Sequence, residues 1–271
     1  MARRALGGTW RVQDRLIRLP VTITDARAAV AVFRSDPAAV RGMLTGTGLT
    51  PWTVAGRAVA VLGVVRYGPW VLGSYDEVGV GVAVRGPGGR RGLHLVDLPV
   101  TGAFTRDAGR AIWSLPKWLM SAEVDLTDHT TSVTIATGTA TEPAAPRHIP
   151  TPAPNRASDG DGDGADGRFV LRARLEVGGV RVPFPVPGRI PLWCVLPDGP
   201  RAGVLLRGTM PVRLHGVRLG RGRTRVELGS HPMAGRMAAL GMTGRPLLTV
   251  TASRLRGELG VFTGVGGVDQ A

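Results

Sequence analysis

Apolar positions along the chain recur mostly at every second residue, in short runs punctuated by Gly and Pro. V21-T-I-T and A29-V-A-V-F33 open the series, followed by A58-V-A-V-L-G-V-V65 and V78-G-V-G-V-A-V84. L93-H-L-V-D-L98, T131-S-V-T-I-A-T137, F169-V-L-R-A-R-L-E-V177 and V180-R-V-P-F184 continue it. M210-P-V-R-L-H-G-V-R-L219, T224-R-V-E-L228 and L247-L-T-V-T-A-S-R-L255 complete it. Alternation with period two, bounded by turn residues, predicts strands. In V78–V84 valine alternates with Gly79, Gly81 and Ala83. One face is bulky and the other nearly bare, which suits either close approach of a ligand or tight packing inside a small barrel.

Helical spacing is rare. T105-R-D-A-G-R-A-I-W113 reads as a short helix stopped by Pro116. H231-P-M-A-G-R-M-A-A-L240 reads as a second. Ser230 is a candidate cap, Pro232 sits in the first turn, and Met233, Met237 and Leu240 share one face. Many short strands with few helices predict an α+β, mainly β fold, an antiparallel sheet or barrel with a few flanking helices. The low-complexity stretch PTPAPNRASDGDGDGADG, 150–167, reads as a mobile loop within a single domain spanning residues 1–271, because the strand pattern continues in the same style on both sides.

Composition changes this picture little. Apolar residues make up 43% of the 271, enough for a sizeable core. One cysteine, Cys194, permits no intramolecular disulfide and fits a reducing compartment. The basic N-terminus is followed by no apolar segment of signal type, and no apolar run approaches the ~18 residues of a membrane span. A cytoplasmic protein is expected. The formal charge of +14 admits nucleic acid, an acidic surface or anionic small molecules as partners. The arginines are dispersed, however, and the denser R218-L-G-R-G-R-T-R225 looks like the polar face of a strand. No helix-turn-helix, zinc-finger or RNP pattern occurs, so nucleic acid is not the expected partner.

Metal and phosphate motifs fail in detail. D159-G-D-G-D-G164 matches the first half of a calcium loop, but position twelve is Val170 where a bidentate Glu is needed. The histidines show no ligand spacing, and there is no P-loop, G-x-G-x-x-G or G-x-S-x-G. T45-G-T-G-L-T50 reads as a turn.

The informative residue is Lys117. Of 34 Lys plus Arg it is the one lysine, set in R110-A-I-W-S-L-P-K-W-L-M120. Where positive charge sufficed, the chain uses arginine. An amine has a property that guanidinium lacks: it deprotonates. A lysine in apolar surroundings loses stability in its charged form, and the neutral amine attacks a ketone to form a Schiff base. The iminium then withdraws electrons from the adjacent carbon and labilises its C–C or C–H bonds.

D107-A-G-R-A-I-W-S-L-P-K-W-L119 resembles the active-site segment of the acetoacetate decarboxylase superfamily, with Gly109, Arg110, Pro116 and Lys117 in place. Activation of a lysine by desolvation or by a neighbouring cation is known from acetoacetate decarboxylase itself. V32-F-R-S-D36, L72-G-S-Y-D-E77 and R221-G-R-T-R-V-E-L-G-S-H-P-M-A234 resemble other segments of that family. The resemblance implies a cone-like antiparallel barrel, a homo-oligomer, Schiff-base chemistry at Lys117 without metal or organic cofactor, and Glu77 as the proton-shuttling carboxylate. Asp76 is the alternative carboxylate. Tyr75 either positions a substrate carbonyl or packs. Leu115 and Trp118 flank the lysine as candidate pocket residues.

Three positions depart from the family pattern. A second lysine adjacent to the first is absent, and Trp118 follows Lys117. A second acidic position falls on Leu62, and the arginine that meets the substrate carboxylate has Arg27 as an approximate counterpart. The expected function is a lyase acting on a small keto acid, by decarboxylation or by aldol and dehydration steps on a pyruvate-like substrate, with cyclases in natural-product pathways as relatives. The competing class is a non-catalytic family member that holds an anionic ligand.

Overall fold

The computed structural model describes residues 3–4, 8–138, 168–196, 198 and 202–265. The expected loop at 150–167 and most of the calcium-like stretch therefore lie outside the described residues. Eleven long strands are numbered here: β1 Val21–Ser35, β2 Arg57–Tyr67, β3 Tyr75–Arg85, β4 Arg91–Val100, β5 Lys117–Leu126, β6 Thr130–Thr137, β7 Phe169–Glu176, β8 Val186–Cys194, β9 Leu206–Gly220, β10 Arg223–Leu228 and β11 Leu248–Leu259. The helices are α1 Pro37–Met43, α2 Ala103–Trp113 and α3 Pro232–Ala239.

Seven strands close on themselves in the order β4-β8-β9-β11-β1-β2-β3, with β3 returning to β4. The barrel is antiparallel except at one seam. There β4 and β8 run parallel, through Leu93 opposite Leu192 and His94 opposite Trp193. From β4 a second sheet branches: β5 pairs with it in parallel over Lys117–Leu119, and β6, β7 and β10 follow antiparallel. Closure removes open edges from the barrel. It also draws strands from both sides of the 139–167 segment.

Strand parity sorts the side chains into two cores. On β3, Val78, Val80, Val82 and Val84 point outward with Leu62 and Val64 of β2. They meet Met120, Ile135, Leu171 and the α3 residues Met233 and Met237 in a core between the barrel and the second sheet. The opposite parity faces the lumen, where Tyr67, Val65, Gly63 and Val61 of β2 stand opposite Tyr75, Glu77, Gly79 and Gly81 of β3. A bulge between Val80 and Gly81 shifts the register with β4, whose Leu93, Leu95 and Leu98 complete this wall. On the bare face of β3 the tight-packing alternative is the one seen, since Leu93 and Leu98 close on Gly81 and Gly79, and the open position, Gly63, lies across from it on β2. A Cβ at Gly81 would come 3.0 Å from Leu93 Cδ1, whereas a Cβ at Gly63 would meet nothing within 4 Å.

Several expectations are corrected here. Strands 21–24 and 29–33 are one continuous strand, β1, and of the 180–184 segment Val180–Arg181 is strand. The α3 cap is His231, not Ser230: its imidazole Nδ1 accepts the Met233 amide at 3.2 Å, so it fills the role usually taken by a short polar side chain. Trp118 packs against this histidine at a tilt of 32°, with ring centroids 4.7 Å apart.

Asp97 on β4 is 3% exposed and is held by both Arg236 Nε and Nη2 of α3 at 2.6 Å. A bidentate guanidinium satisfies a buried carboxylate that no other cation reaches in the described residues. Replacing Arg236 with Ala leaves Asp97 buried without its counter-charge. The loss expected is about 2–3 kcal/mol, below the full buried-pair figure because Arg236 is itself partly solvated. Urea unfolding of Arg236→Ala checks it, and Arg236→Lys is expected to recover only part of the loss.

Candidate active site

Lys117 lies where α2 gives way to β5. The helix ends on Ser114, which adopts a left-handed conformation (φ 53°), and the Leu115 amide turns back to bond the Gly109 carbonyl at 3.1 Å. Pro116 cannot continue a helix and holds Leu115 extended. Lys117 is then the first residue of β5, registered beside Leu98 of β4. Strand alternation turns its side chain into the lumen and Trp118 away from it. Arg110 braces the turn: its Nη1 donates to the Lys117 carbonyl at 3.3 Å and its Nη2 bonds Asp198.

The lysine stem runs across α2 at Gly109. A Cβ there would stand 2.6 Å from Lys117 Cδ and 2.9 Å from Cε. This contact accounts for the glycine of the Gly-Arg pair, since any larger residue pushes the stem aside.

Three side chains surround the amine. Glu77 Oε2 lies 2.8 Å from Nζ, Thr105 Oγ1 at 3.0 Å and the Tyr75 hydroxyl at 3.5 Å. Nζ also sits 5.0 Å from the Tyr75 ring centre. Tyr67 donates its hydroxyl to Glu77 Oε1 at 3.2 Å and stacks on Tyr75 at 4.5 Å between ring centres. Lys117 is 3% exposed and Glu77 9%. The chain's one lysine and both of its tyrosines therefore meet in one cluster.

Burial is the largest single influence on Lys117 and pulls its pKa down. The Glu77 carboxylate, the Tyr75 oxygen and their hydrogen bonds together outweigh it and hold the ammonium above its ordinary range. The expectation that burial alone yields a neutral amine is thus corrected: with Glu77 at 2.8 Å the resting state is an ion pair. Burial pushes the Tyr75 phenol up to about 12, and burial with Glu77 pushes Tyr67 well above its usual value. Both phenols stay protonated near neutrality and serve as donors.

The remaining wall is apolar. Val30, Val61, Val65, Leu93, Leu95 and Leu192 are among the residues around a cavity of about 190 Å³. Among the described residues lining it, the charged ones are Lys117 and Glu77.

Strand parity also decides the other sequence candidates. Leu115 and Tyr75 line the cavity. Leu62 does not, since it points outward into the core against the second sheet. Asp76 also points out, where Arg66 clamps it at 2.8 and 3.0 Å, so Glu77 is the carboxylate at the lysine. Arg27 is exposed and directs Nη1 to the Leu126 carbonyl outside the barrel. Trp118 packs on the outer core. Two cluster members escaped the sequence reading. Tyr67 had a signal, as the second of two tyrosines on a strand paired with Tyr75. Thr105 had none, because its contact depends on how α2 packs.

Comparison with known proteins gives a consistent picture. Residues 11–141 match the model of the acetoacetate decarboxylase family. No curated protein matches the chain by sequence. The structure is similar to acetoacetate decarboxylase from Legionella pneumophila, at 15% identity and a TM-score of 0.65, over 97% of this chain and 91% of that one. It is also similar to the enduracididine biosynthesis enzyme MppR, solved with the condensation product of pyruvate and imidazole 4-carboxaldehyde. That match has 15% identity and a TM-score of 0.60, over 90% and 88% of the two chains. An acetoacetate decarboxylase-like enzyme from Sphingomonas wittichii matches at 18% identity and a TM-score of 0.50, over 91% and 92%.

Three outcomes follow from this geometry. Gly109→Ala is expected to keep the fold but displace the lysine stem, cutting amine reactivity at least tenfold when read as acylation of Lys117 by intact mass. Glu77→Gln removes the charge that raises the lysine pKa and leaves burial to lower it. The pH midpoint of Lys117 acylation is therefore expected to move down. In the wild type the pair's stabilisation is full below the unfolded lysine value and is lost as pH rises through the raised folded one. Thermal melts toward alkaline pH should accordingly fall more steeply in wild type than in Glu77→Gln.

Proposed function

We propose that this chain is a member of the acetoacetate decarboxylase superfamily and a lyase that joins Lys117 to a keto acid as a Schiff base, with no metal or organic cofactor. The observation that carries the reading is the chain's one lysine, buried in a closed apolar barrel with its amine 2.8 Å from a carboxylate.

The ion pair sets the order of events. Glu77 accepts a proton from the Lys117 ammonium as a carbonyl displaces it from contact, and the freed amine attacks the carbonyl carbon. A C–N bond forms. The carbonyl oxygen collects two protons and departs as water, leaving the iminium with the positive charge the ammonium held. With a β-keto acid, the C–carboxylate bond then breaks. Its electron pair enters the iminium, giving carbon dioxide and a neutral enamine. Glu77, which gave its proton to the departing water, takes up a proton from solvent and delivers it to carbon, and water hydrolyses the restored iminium to release the ketone. Tyr67 and Tyr75, held protonated by burial, donate to whichever oxygen carries charge.

The same enamine can attack an aldehyde, followed by loss of water, as an aldolase-dehydratase requires. Trp118 stands where decarboxylases carry a second lysine, but its side chain faces the outer core, so it does not choose between the two chemistries.

Borohydride reduction in the presence of acetoacetate or pyruvate is expected to add a reduced adduct to Lys117, read by intact mass and peptide mapping, and to add none in Lys117→Arg. Glu77→Gln is expected to slow adduct turnover about 100-fold or more. A panel of keto acids that leaves Lys117 unmodified contradicts the reading. Carbon dioxide or aldol product in the unreduced reactions separates the two chemistries.

A further inference from the structure

The lumen beyond the lysine has no role in the steps above, and its chemistry is specific. From Glu77 to Gly81 the inner face of β3 extends about 13 Å away from the ion pair. Along that length no charged side chain lines the wall among the described residues. The chain has 33 arginines and places none of those described against the cavity. Arg27 and Arg66, the nearest along the wall strands β1 and β2, both turn outward.

The wall is also shaped to leave space. Gly63 and Gly79 face each other across β2 and β3. A Cβ at Gly63 would meet nothing, and one at Gly79 would come within 3.3 Å of only a flexible Leu98 methyl. Val30, Val61, Leu93 and Leu95 surround this gap, with Ile190, Leu192 and Met210 farther round the barrel. A small keto acid bound at Lys117 would leave these surfaces uncovered. It would also find no guanidinium to fix its carboxylate. Buried apolar surface without a polar anchor recognises hydrocarbon.

We infer that the substrate carries an apolar tail of several carbons beyond its carbonyl, and that the tail lies in the lumen over Gly63 and Gly79 while Lys117 engages the carbonyl. This rests on the Schiff-base reading for its reacting end. The tail itself depends on the lumen alone. Selection comes from chain length: each methylene that leaves water strengthens binding about fourfold until the lumen is full.

A series of methyl ketones from acetone to 2-octanone tests this, because it varies the tail with no change of charge. The half-saturating concentration for borohydride trapping at Lys117 is expected to fall more than tenfold from 2-butanone to 2-hexanone. Gly63→Leu, which fills open space in a strand, is expected to flatten that series while acetone still traps. A second measurement needs no covalent step: calorimetric binding of 2-octanone to Lys117→Met is expected to persist and to be lost in Lys117→Met/Gly63→Leu. Trapping that is flat or weakens with chain length overturns the tail and leaves the Schiff base standing. Absence of any adduct, with 2-octanone still bound by Lys117→Met, overturns the Schiff base and leaves the apolar site standing. Failure of Lys117→Met to bind 2-octanone overturns the inference.

Discussion

An ammonium and a carboxylate taken out of water each cost several kcal/mol, and a buried pair persists only with good geometry and further hydrogen bonds. Lys117 and Glu77 meet both conditions, at 2.8 Å, with Thr105, Tyr75 and Tyr67 supplying the remaining partners. The members of the cluster come from four parts of the fold. Glu77 and Tyr75 project from β3, Tyr67 from β2, Thr105 from α2 and Lys117 from the start of β5. The pair therefore forms only when the β2–β3 hairpin, the helix and the branching sheet are all in place. Removal of either charge strands the other, so the pair is a demand on the fold more than a source of its stability.

That demand explains local choices that look arbitrary in isolation. Gly109 has no side chain because the lysine stem crosses it. Pro116 ends the helix and sets the parity by which Lys117 faces in and Trp118 faces out. Asp76 and Arg66 consume one another on the outer face, which leaves Glu77 without a competing cation inside. The tyrosines stack above the pair and keep their protons, so they hydrogen-bond the site without adding a charge to it. The resulting arrangement stores a proton between two groups whose preferences are opposed: burial favours neutrality, and proximity favours ionisation. A carbonyl that parts them tips the balance toward the neutral amine.

Much of this was legible in the alternation of the sequence. The strands of the barrel wall on β1 to β4 announce themselves by period two, and Lys117 by being the one lysine among arginines. Two strands were not legible. β8 contains Pro187 and Pro191, which argue against a strand. They are tolerated because β8 pairs with β4 only through Leu192 and Trp193, so its proline stretch faces no partner on that side. β5 begins immediately after a helix stop, and K117-W-L-M-S-A-E-V-D-L126 does not alternate cleanly. The geometry gathers the residues singled out by an unusual type, and turns away those whose family position was carried over without parity. Leu62 and Asp76 are even-numbered neighbours of odd-numbered lumen residues and thus face away. Trp118 fails by the same rule one residue past Lys117. Thr105 reaches the amine through tertiary packing of α2, which no local pattern encodes.

A single lysine permits a direct view of the central claim. Protein grown with lysine carrying carbon-13 at the ε position should give one resonance from the chain, whose shift reports the charge and bonding of Nζ. The account predicts that this resonance stays in the ammonium position well past the pH at which an exposed lysine titrates. It also predicts that addition of a keto acid or ketone near neutral pH moves it to the shift of an imine carbon neighbour. A resonance that titrates as a solvent-exposed lysine does and is indifferent to every carbonyl compound offered would contradict it.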